Sequence, residues 1–280
     1  MNKFPTGKPH ISYSELKAWK ECSYRHKLMY VDNIQTFEPN PYADFGTALH
    51  NTIEAFLITK QMNIDNCLLE IDSAWARNGY DSQEYAKKME GNSWWKGEPV
   101  ETWKSYAATI LKNFPEWIDK EFPEWELIDA EHELYEKIEN LDLSFKGYID
   151  CIIKAKNKRG KDIIWVIDWK TTGPAGWFFK KRRDFTLLAQ VGLYKKYISK
   201  KLNIELKDIR CAYVFLKRGS NLKNYIEKFQ VSVGPKFLER TDKLVISMIK
   251  SVEKGIFLKN YDSCKFCPFT NTEHCNGKGW

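Results

Sequence analysis

Ile163-Ile164-Trp165-Val166-Ile167-Asp168-Trp169-Lys170 is an unbroken apolar run that ends on an aspartate, with a lysine two residues beyond it. Five consecutive β-branched or aromatic residues predict a strand covered on both faces, as in the interior of an α/β sheet. Side chains two apart on a strand share a face, so Asp168 and Lys170 point the same way. Gly147-Tyr148-Ile149-Asp150 puts a second aspartate in the preceding apolar stretch. Two strand-end carboxylates suit a hard divalent cation, and a neighbouring ammonium suits a negative charge held beside it. Hydrolysis of a phosphodiester needs this combination.

Two further segments read as helices. Gly46-Thr47-Ala48-Leu49-His50-Asn51-Thr52-Ile53-Glu54 sets His50 and Glu54 one turn apart on one face, and Gln190-Val191-Gly192-Leu193-Tyr194 does the same for Gln190 and Tyr194. Each part alone has an ordinary reading: His50 as a core histidine, Glu54 as half of a surface ion pair, Tyr194 as core, Gly147 as a bulge. Together they run G-x-x-x-H-x-x-x-E, G-x-x-D, D-x-K, Q-x-x-x-Y. That order resembles the RecB-type branch of the PD-(D/E)xK nuclease superfamily from about residue 10 to the C-terminus.

The resemblance implies an α/β fold, a mixed central sheet flanked by helices, and assigns roles. Asp150, Asp168, His50 and the carbonyl of Trp169 would hold Mg²⁺ or Mn²⁺, the imidazole nitrogen favouring Mn²⁺. Lys170 would orient or deprotonate the attacking water, or stabilise charge on the phosphate. Gln190 and Tyr194 would position Lys170 and the DNA backbone, and Glu54 would orient a ligand or a water. The implied activity is that of a metal-dependent DNA exonuclease working on single-stranded ends in recombination or repair. The alternatives are a structure-selective or nicking endonuclease, and a non-catalytic DNA-binding recombination subunit. With no G-x-x-x-x-G-K-[ST] in the sequence, any helicase or recombinase partner would be a separate chain.

Seven cysteines with no secretory signal argue against a disulfide framework. Cys67, Cys151 and Cys211 lie among apolar residues and read as core. Cys264-Lys265-Phe266-Cys267-Pro268 with Cys275 forms a short-spaced group in a turn-rich tail, suited to one soft metal centre. A fourth ligand is needed, and Cys22, in the amphipathic segment Trp19-Lys20-Glu21-Cys22-Ser23-Tyr24, is the best candidate. One N-terminal cysteine and three at the C-terminus resemble the iron-sulfur subgroup of RecB-like nucleases, which includes the AddB nuclease domain and CRISPR-associated exonucleases. That resemblance implies a [4Fe-4S] cluster clipping the chain ends together, from residue 22 and the segment 261–280. The seven residues between Cys267 and Cys275 exceed the subgroup's usual gap. With His274 adjacent, a structural zinc held by four thiolates, or three and an imidazole, is the competing reading.

The 280 residues carry a formal charge of +7, compatible with a polyanionic partner. The sharpest basic cluster is Lys180-Lys181-Arg182-Arg183, directly after Trp177-Phe178-Phe179 and between the D-x-K strand and the Gln190 helix. Cations that follow phosphates beside rings that stack on bases suit single-stranded DNA, with Trp177 and the four cations as contacts. Apolar runs are too short for a membrane span, and the N-terminus lacks a signal region. The expectation is a cytoplasmic protein of a bacterial cell or a phage-infected host. A capping box at Ser12-Tyr13-Ser14-Glu15 predicts a helix to about residue 30. Helices are expected over 42–61, 186–201 and 235–254, and strands over 125–137, 143–154, 163–170, 210–216 and 225–233. Residues 65–122 read as a helical insertion, where Trp94, Trp95, Trp103 and Tyr106 either pack or line a strand channel. The order argues for one nuclease domain over 1–280.

Overall fold

Each expected strand alternates or is apolar throughout, and each finds a partner. In the computed structural model, which describes residues 4–35, 39–90 and 95–277, six strands form one mixed sheet. The hairpin of β2 (Glu126–Lys137) and β3 (Ser144–Lys156) is antiparallel, and so is the pairing of β3 with β4 (Asp162–Thr172). β4 then runs parallel to β5 (Ile209–Lys217), and β6 (Ile226–Val231) closes the far edge antiparallel. A three-residue strand, β1 (His10–Ser12), too short to leave a mark in the sequence, pairs parallel to the start of β3.

Helices cover both faces. On one lie α3 (Pro41–Thr59), α4 (Ile64–Asn78), α5 (Gln83–Lys88) and α6 (Val100–Glu121), packed on Ile153, Trp165, Ile167 and Val214. Trp103 of α6 is buried at the centre of that layer, against Tyr42, Phe45 and Trp75, so it packs and lines no channel. Trp94 lies outside the described residues. The other face carries α1 (Tyr13–Glu21), the one-turn α7 (Phe179–Arg182), α8 (Phe185–Lys201) and α9 (Pro235–Glu253), with α1, α8 and α9 over Ile152, Ile164, Val166 and Tyr213. No described helix is long and apolar enough to cross a membrane.

The expected helix to residue 30 is broken at Cys22, whose backbone is extended (φ −161°, ψ 111°). A second short helix, α2 (Ser23–His26), and a π-turn at Lys27–Val31 follow. The break is stabilised by the far end of the chain. Asn260 Nδ2 and Ser263 Oγ both donate to the Glu21 carbonyl at 2.7 Å, Tyr24 N–H donates to Leu258 O, and Leu258 N–H donates to Ser23 Oγ. The C-terminal segment thus supplies partners that a continuous helix would have supplied itself. Hydrogen bonds of the protein itself thus join α1 and α2 to the C-terminal segment.

Candidate metal centre

The sheet forks where the two aspartates sit. β3 and β4 are paired from Lys156↔Asp162 to Cys151↔Ile167 and no further; beyond that point β4 continues only along β5. Asp150 and Asp168 are the first residues past the last pair. Side-chain alternation in β3 slips here too: Ile149 and Ile152 join the α8-side core, whereas Cys151 and Ile153 join the opposite one. One hydrogen bond spans the fork, from Trp169 N–H to Asp150 Oδ2 at 2.7 Å.

α3 delivers the histidine. Asn40 caps its N-terminus, Pro41 occupies the first turn, and Gly46 lets the helix approach β4 closely. A Cβ at Gly46 would stand 3.2 Å from Thr171 Oγ1, so a side chain there would fit only if Thr171 gave way by a few tenths of an ångström. One turn on, His50 Nδ1 lies 3.8 Å from Asp150 Oδ2. Burial, then the Lys170 charge, pulls the imidazole down to about 4, against a hydrogen bond to the Trp169 backbone. The ring is therefore neutral at physiological pH, the state that ligates a metal.

The third member of the group was not legible in the sequence. Ligand atoms of His50, Glu131 and Asp150 all lie within 4.8 Å of one another, the one such group of three among the described residues. Glu131 sits within β2 in the left-handed region, φ 48°. Five of the eight non-glycine residues with positive φ are asparagines, which tolerate it; Glu131 is held in it inside a strand, between Ala130 and His132, which pair with Cys151 and Ile149. Strain of this kind, on the order of 1 kcal/mol, concentrates at functional sites. Its carboxyl is pushed up by burial, then by Glu54 and Asp168, which places Glu54 in the same field.

Asp168 and Lys170 form an ion pair beside this group, with Asp168 only 1% exposed. Asp168 Oδ1 accepts no well-aligned hydrogen bond. Burial, then Asp168, drives the Asp150 carboxyl well above its ordinary range, against Lys170 and the Trp169 N–H. Asp168 is also raised by burial, with Lys170 opposing. Burial works against the Lys170 charge, but Asp168 and Asp150 outweigh it, so its pKa rises. Three carboxyls around one ammonium make a site short of positive charge. The donor set of one imidazole nitrogen and carboxylate oxygens fits a divalent cation of the Mg²⁺/Mn²⁺ class. The site opens into a cleft of about 550 Å³ lined by Gly46, His50, Glu54, Glu131 and Lys170.

Gln190 and Tyr194 meet behind this centre: Gln190 Nε2 donates to Tyr194 Oη at 3.0 Å. The buried tyrosine passes close to the fork, since a Cβ at Gly147 would stand 3.0 Å from its ring. Their link to Lys170 runs through Tyr213, which the sequence reading did not single out. Its ring lies under the Lys170 ammonium at 5.7 Å, and its hydroxyl donates to Leu187 O and, more weakly, to Gln190 Oε1.

The basic-aromatic run divides. Trp177 is buried against Tyr213 and Phe215, at ring separations of 4.7 and 5.1 Å, so its ring is not available to bases. Arg182 is also committed inward, donating to Trp177 O at 2.7 Å and to Glu227 Oε1 at 2.6 Å. Against the expectation that they contact DNA, these two residues turn inward and anchor the loop. Lys180, Lys181 and Arg183 are exposed.

Cys22, Cys264, Cys267 and Cys275 line one small cavity, with Tyr24 and Phe269. Asn260 N–H donates to Cys22 Sγ at 3.3 Å. Cys67, Cys151 and Cys211 are buried in the core as expected, and burial pushes the Cys67 thiol up to about 11 and the Cys211 thiol up to about 12. Residues 278–280 of the expected cluster segment lie outside the described residues.

Comparison with known proteins bears on the fold and the family. No curated protein matches the sequence. Among solved structures, a provisionally assigned exonuclease from Eubacterium rectale superposes with a TM-score of 0.55 at 10% identity, over 92% of this chain and 85% of that one, a likeness of fold. A second, SSO0001, covers 88% of this chain and 91% of its own at 13% identity, with a TM-score of 0.33. The family match is broader: residues 10–272, which take in the sheet, the fork and the cysteines Cys22, Cys264 and Cys267, fit the PD-(D/E)XK nuclease superfamily, and the chain belongs to that superfamily.

Proposed function

We propose that this protein is a metal-dependent deoxyribonuclease that shortens DNA from single-stranded ends, in recombination or repair. The observation that carries the reading is the convergence of His50, Glu131 and Asp150 beside the Asp168–Lys170 pair at the fork of the sheet. A Mg²⁺ or Mn²⁺ ion bound there would neutralise the phosphate and lower the pKa of a bound water. His50, Asp150, Asp168 and the Trp169 carbonyl are the ligands, with Glu131 added to the set. Glu54 orients a ligand or a water from the next turn of α3. Lys170, its charge favoured by two carboxylates, stays protonated at neutral pH. That suits holding a water or a phosphate oxygen better than removing a proton. Gln190 and Tyr194 fix Lys170 through the Tyr213 ring.

The four cavity-lining cysteines are read as ligands of a [4Fe-4S] cluster. A donor set made of thiolates suits a soft metal centre of this kind. The amide directed at Cys22 Sγ is the kind of donor that stabilises a cluster thiolate.

Digestion of end-labelled single- and double-stranded DNA with Mg²⁺, Mn²⁺ or EDTA tests the activity. Stepwise shortening of linear single strands is expected with metal and none with EDTA, while a covalently closed single-stranded circle stays intact. A cut circle would make the enzyme an endonuclease. DNA binding without cleavage under either metal would make the chain a non-catalytic recombination subunit.

A further inference from the structure

Eight and nine residues after Lys170, two phenylalanines stand bare. Phe178 and Phe179 are 75% and 72% exposed, the highest values among the large apolar side chains described. They are not on a loose loop. Trp177 on one side is sunk among Tyr213 and Phe215, and Arg182 on the other is tied to the Trp177 carbonyl and to Glu227. The intervening turn is thus pinned at both ends by buried groups, and only its outer side chains project.

What surrounds the rings is cationic. Arg183 lies 5.0 Å from the Phe179 ring, and Lys17, Lys180 and Lys181 share a surface depression with Phe178, along with the acids Glu21 and Asp184. Lys181 lies 4.9 Å from the Trp177 ring, which packs at 4.7 Å on the Tyr213 ring under Lys170, so two adjacent rings join the depression to Lys170. Exposed apolar rings beside several cations do not suit an uncharged partner. They suit a chain that alternates anionic groups with flat apolar ones.

We propose that Phe178 and Phe179 form a base-stacking platform for unpaired nucleotides on the turn that Trp177 and Arg182 anchor, with Lys17, Lys180, Lys181 and Arg183 following the phosphates. This rests on the nuclease reading and deepens it: the platform selects single strands, because bases in a duplex offer no free face. Trp177 and Arg182 are positioning residues that hold the platform.

The test is binding without cleavage. In EDTA, oligonucleotides carrying 2-aminopurine near one end are titrated with wild-type protein and with the Phe178→Ala/Phe179→Ala variant. Wild-type protein should quench the probe, and the variant should bind the single strand at least tenfold more weakly with quenching lost. Blunt duplex and a strand of abasic linkers should bind both proteins alike, and Phe178→Trp/Phe179→Trp should restore quenching. Both phenylalanines are exposed, so the variants should melt with the wild type. Unchanged affinity, or an equal loss on all three nucleic acids, overturns the platform. So does a wild-type dimer in sedimentation that the alanine variant dissociates, since the rings would then cover a second copy. If wild-type protein cleaves DNA with metal but never quenches the probe, the platform fails and the nuclease reading stands; quenching without cleavage gives the converse.

Discussion

Replacing Asp150 with asparagine should make the metal-free protein more stable while removing its activity. Asp150 is buried near two carboxylates, and its group with His50 and Glu131 spans at most 4.8 Å. At that separation, with an effective dielectric constant of about 20, two unit charges repel by about 3.5 kcal/mol. Attraction to Lys170 and the Trp169 N–H bond offset part of this, and an asparagine carbonyl keeps the bond. A net gain of about 1–2 kcal/mol remains, equivalent to about 2–6 °C in melting temperature for a chain of this length. The sign follows from linkage. The folded carboxyl titrates above its unfolded value, so wild-type protein is least penalised below about pH 4 and loses stability as pH rises through the folded pKa. The advantage of Asp150→Asn should be near zero at pH 4 and larger at pH 8. Saturating Mn²⁺ should reverse the order, since at a hundred times Kd it stabilises wild-type protein by about 2.7 kcal/mol and the variant by less. The measurement is thermal unfolding in EDTA and in Mn²⁺ across that pH range. A variant less stable than wild type in EDTA at pH 8 would refute the electrostatic account of the site.

Glu131→Gln should weaken Mn²⁺ binding about tenfold or more with the fold intact, by isothermal titration; an unchanged affinity would remove Glu131 from the ligand set. Lys170→Ala should lose most cleavage in the end-label assay yet still bind metal, because it removes a cation and no ligand; a variant cutting at the wild-type rate would exclude the lysine from the chemistry. Protein purified without oxygen should be brown, and Cys22→Ala, Cys264→Ala, Cys267→Ala or Cys275→Ala should each remove the colour while Cys67→Ala, Cys151→Ala and Cys211→Ala keep it. A colourless preparation with one stoichiometric zinc would convert this centre to a zinc clip and leave the nuclease assignment in place.

Most elements were legible because their signals are local. The apolar run to Asp168 marks β4, the i, i+4 spacing of His50 and Glu54 marks one face of α3, and the expected strand bounds differ from the observed ones by a residue or two. What was illegible depends on pairing. Glu131 lies in Asp129-Ala130-Glu131-His132-Glu133, which reads as a solvent-facing edge; only the strained backbone opposite the slip in β3 turns it toward Asp150. Trp177 reads like Phe178 and Phe179, and Arg182 like its basic neighbours. Tyr213 and Glu227, which draw those two inward, stand more than thirty residues away in the sequence. The break at Cys22 has the same origin, in donors contributed by Asn260 and Ser263.

That break ties the cysteines to the chemistry. α1 carries Tyr13, Lys17 and Glu21 at successive one-turn steps, so one face of the helix presents all three. Tyr13 is buried within the field of Asp168, Lys17 and Glu21 border the depression beneath Phe178, and Cys22 follows directly. α1 is therefore a strut between the metal centre, the strand platform and the chain ends, and the hydrogen bonds from Asn260 and Ser263 hold its C-terminal carbonyl. A centre that binds Cys22 to Cys264, Cys267 and Cys275 would tighten the same joint by closing a loop of more than two hundred residues, where a crosslink restricts the unfolded chain most. Loss of that centre should thus act through α1: it should loosen Tyr13 and Lys17 and lower single-strand affinity, while the Mn²⁺ affinity of His50, Glu131 and Asp150, which sit on α3, β2 and β3, stays near the wild-type value for as long as the sheet remains folded.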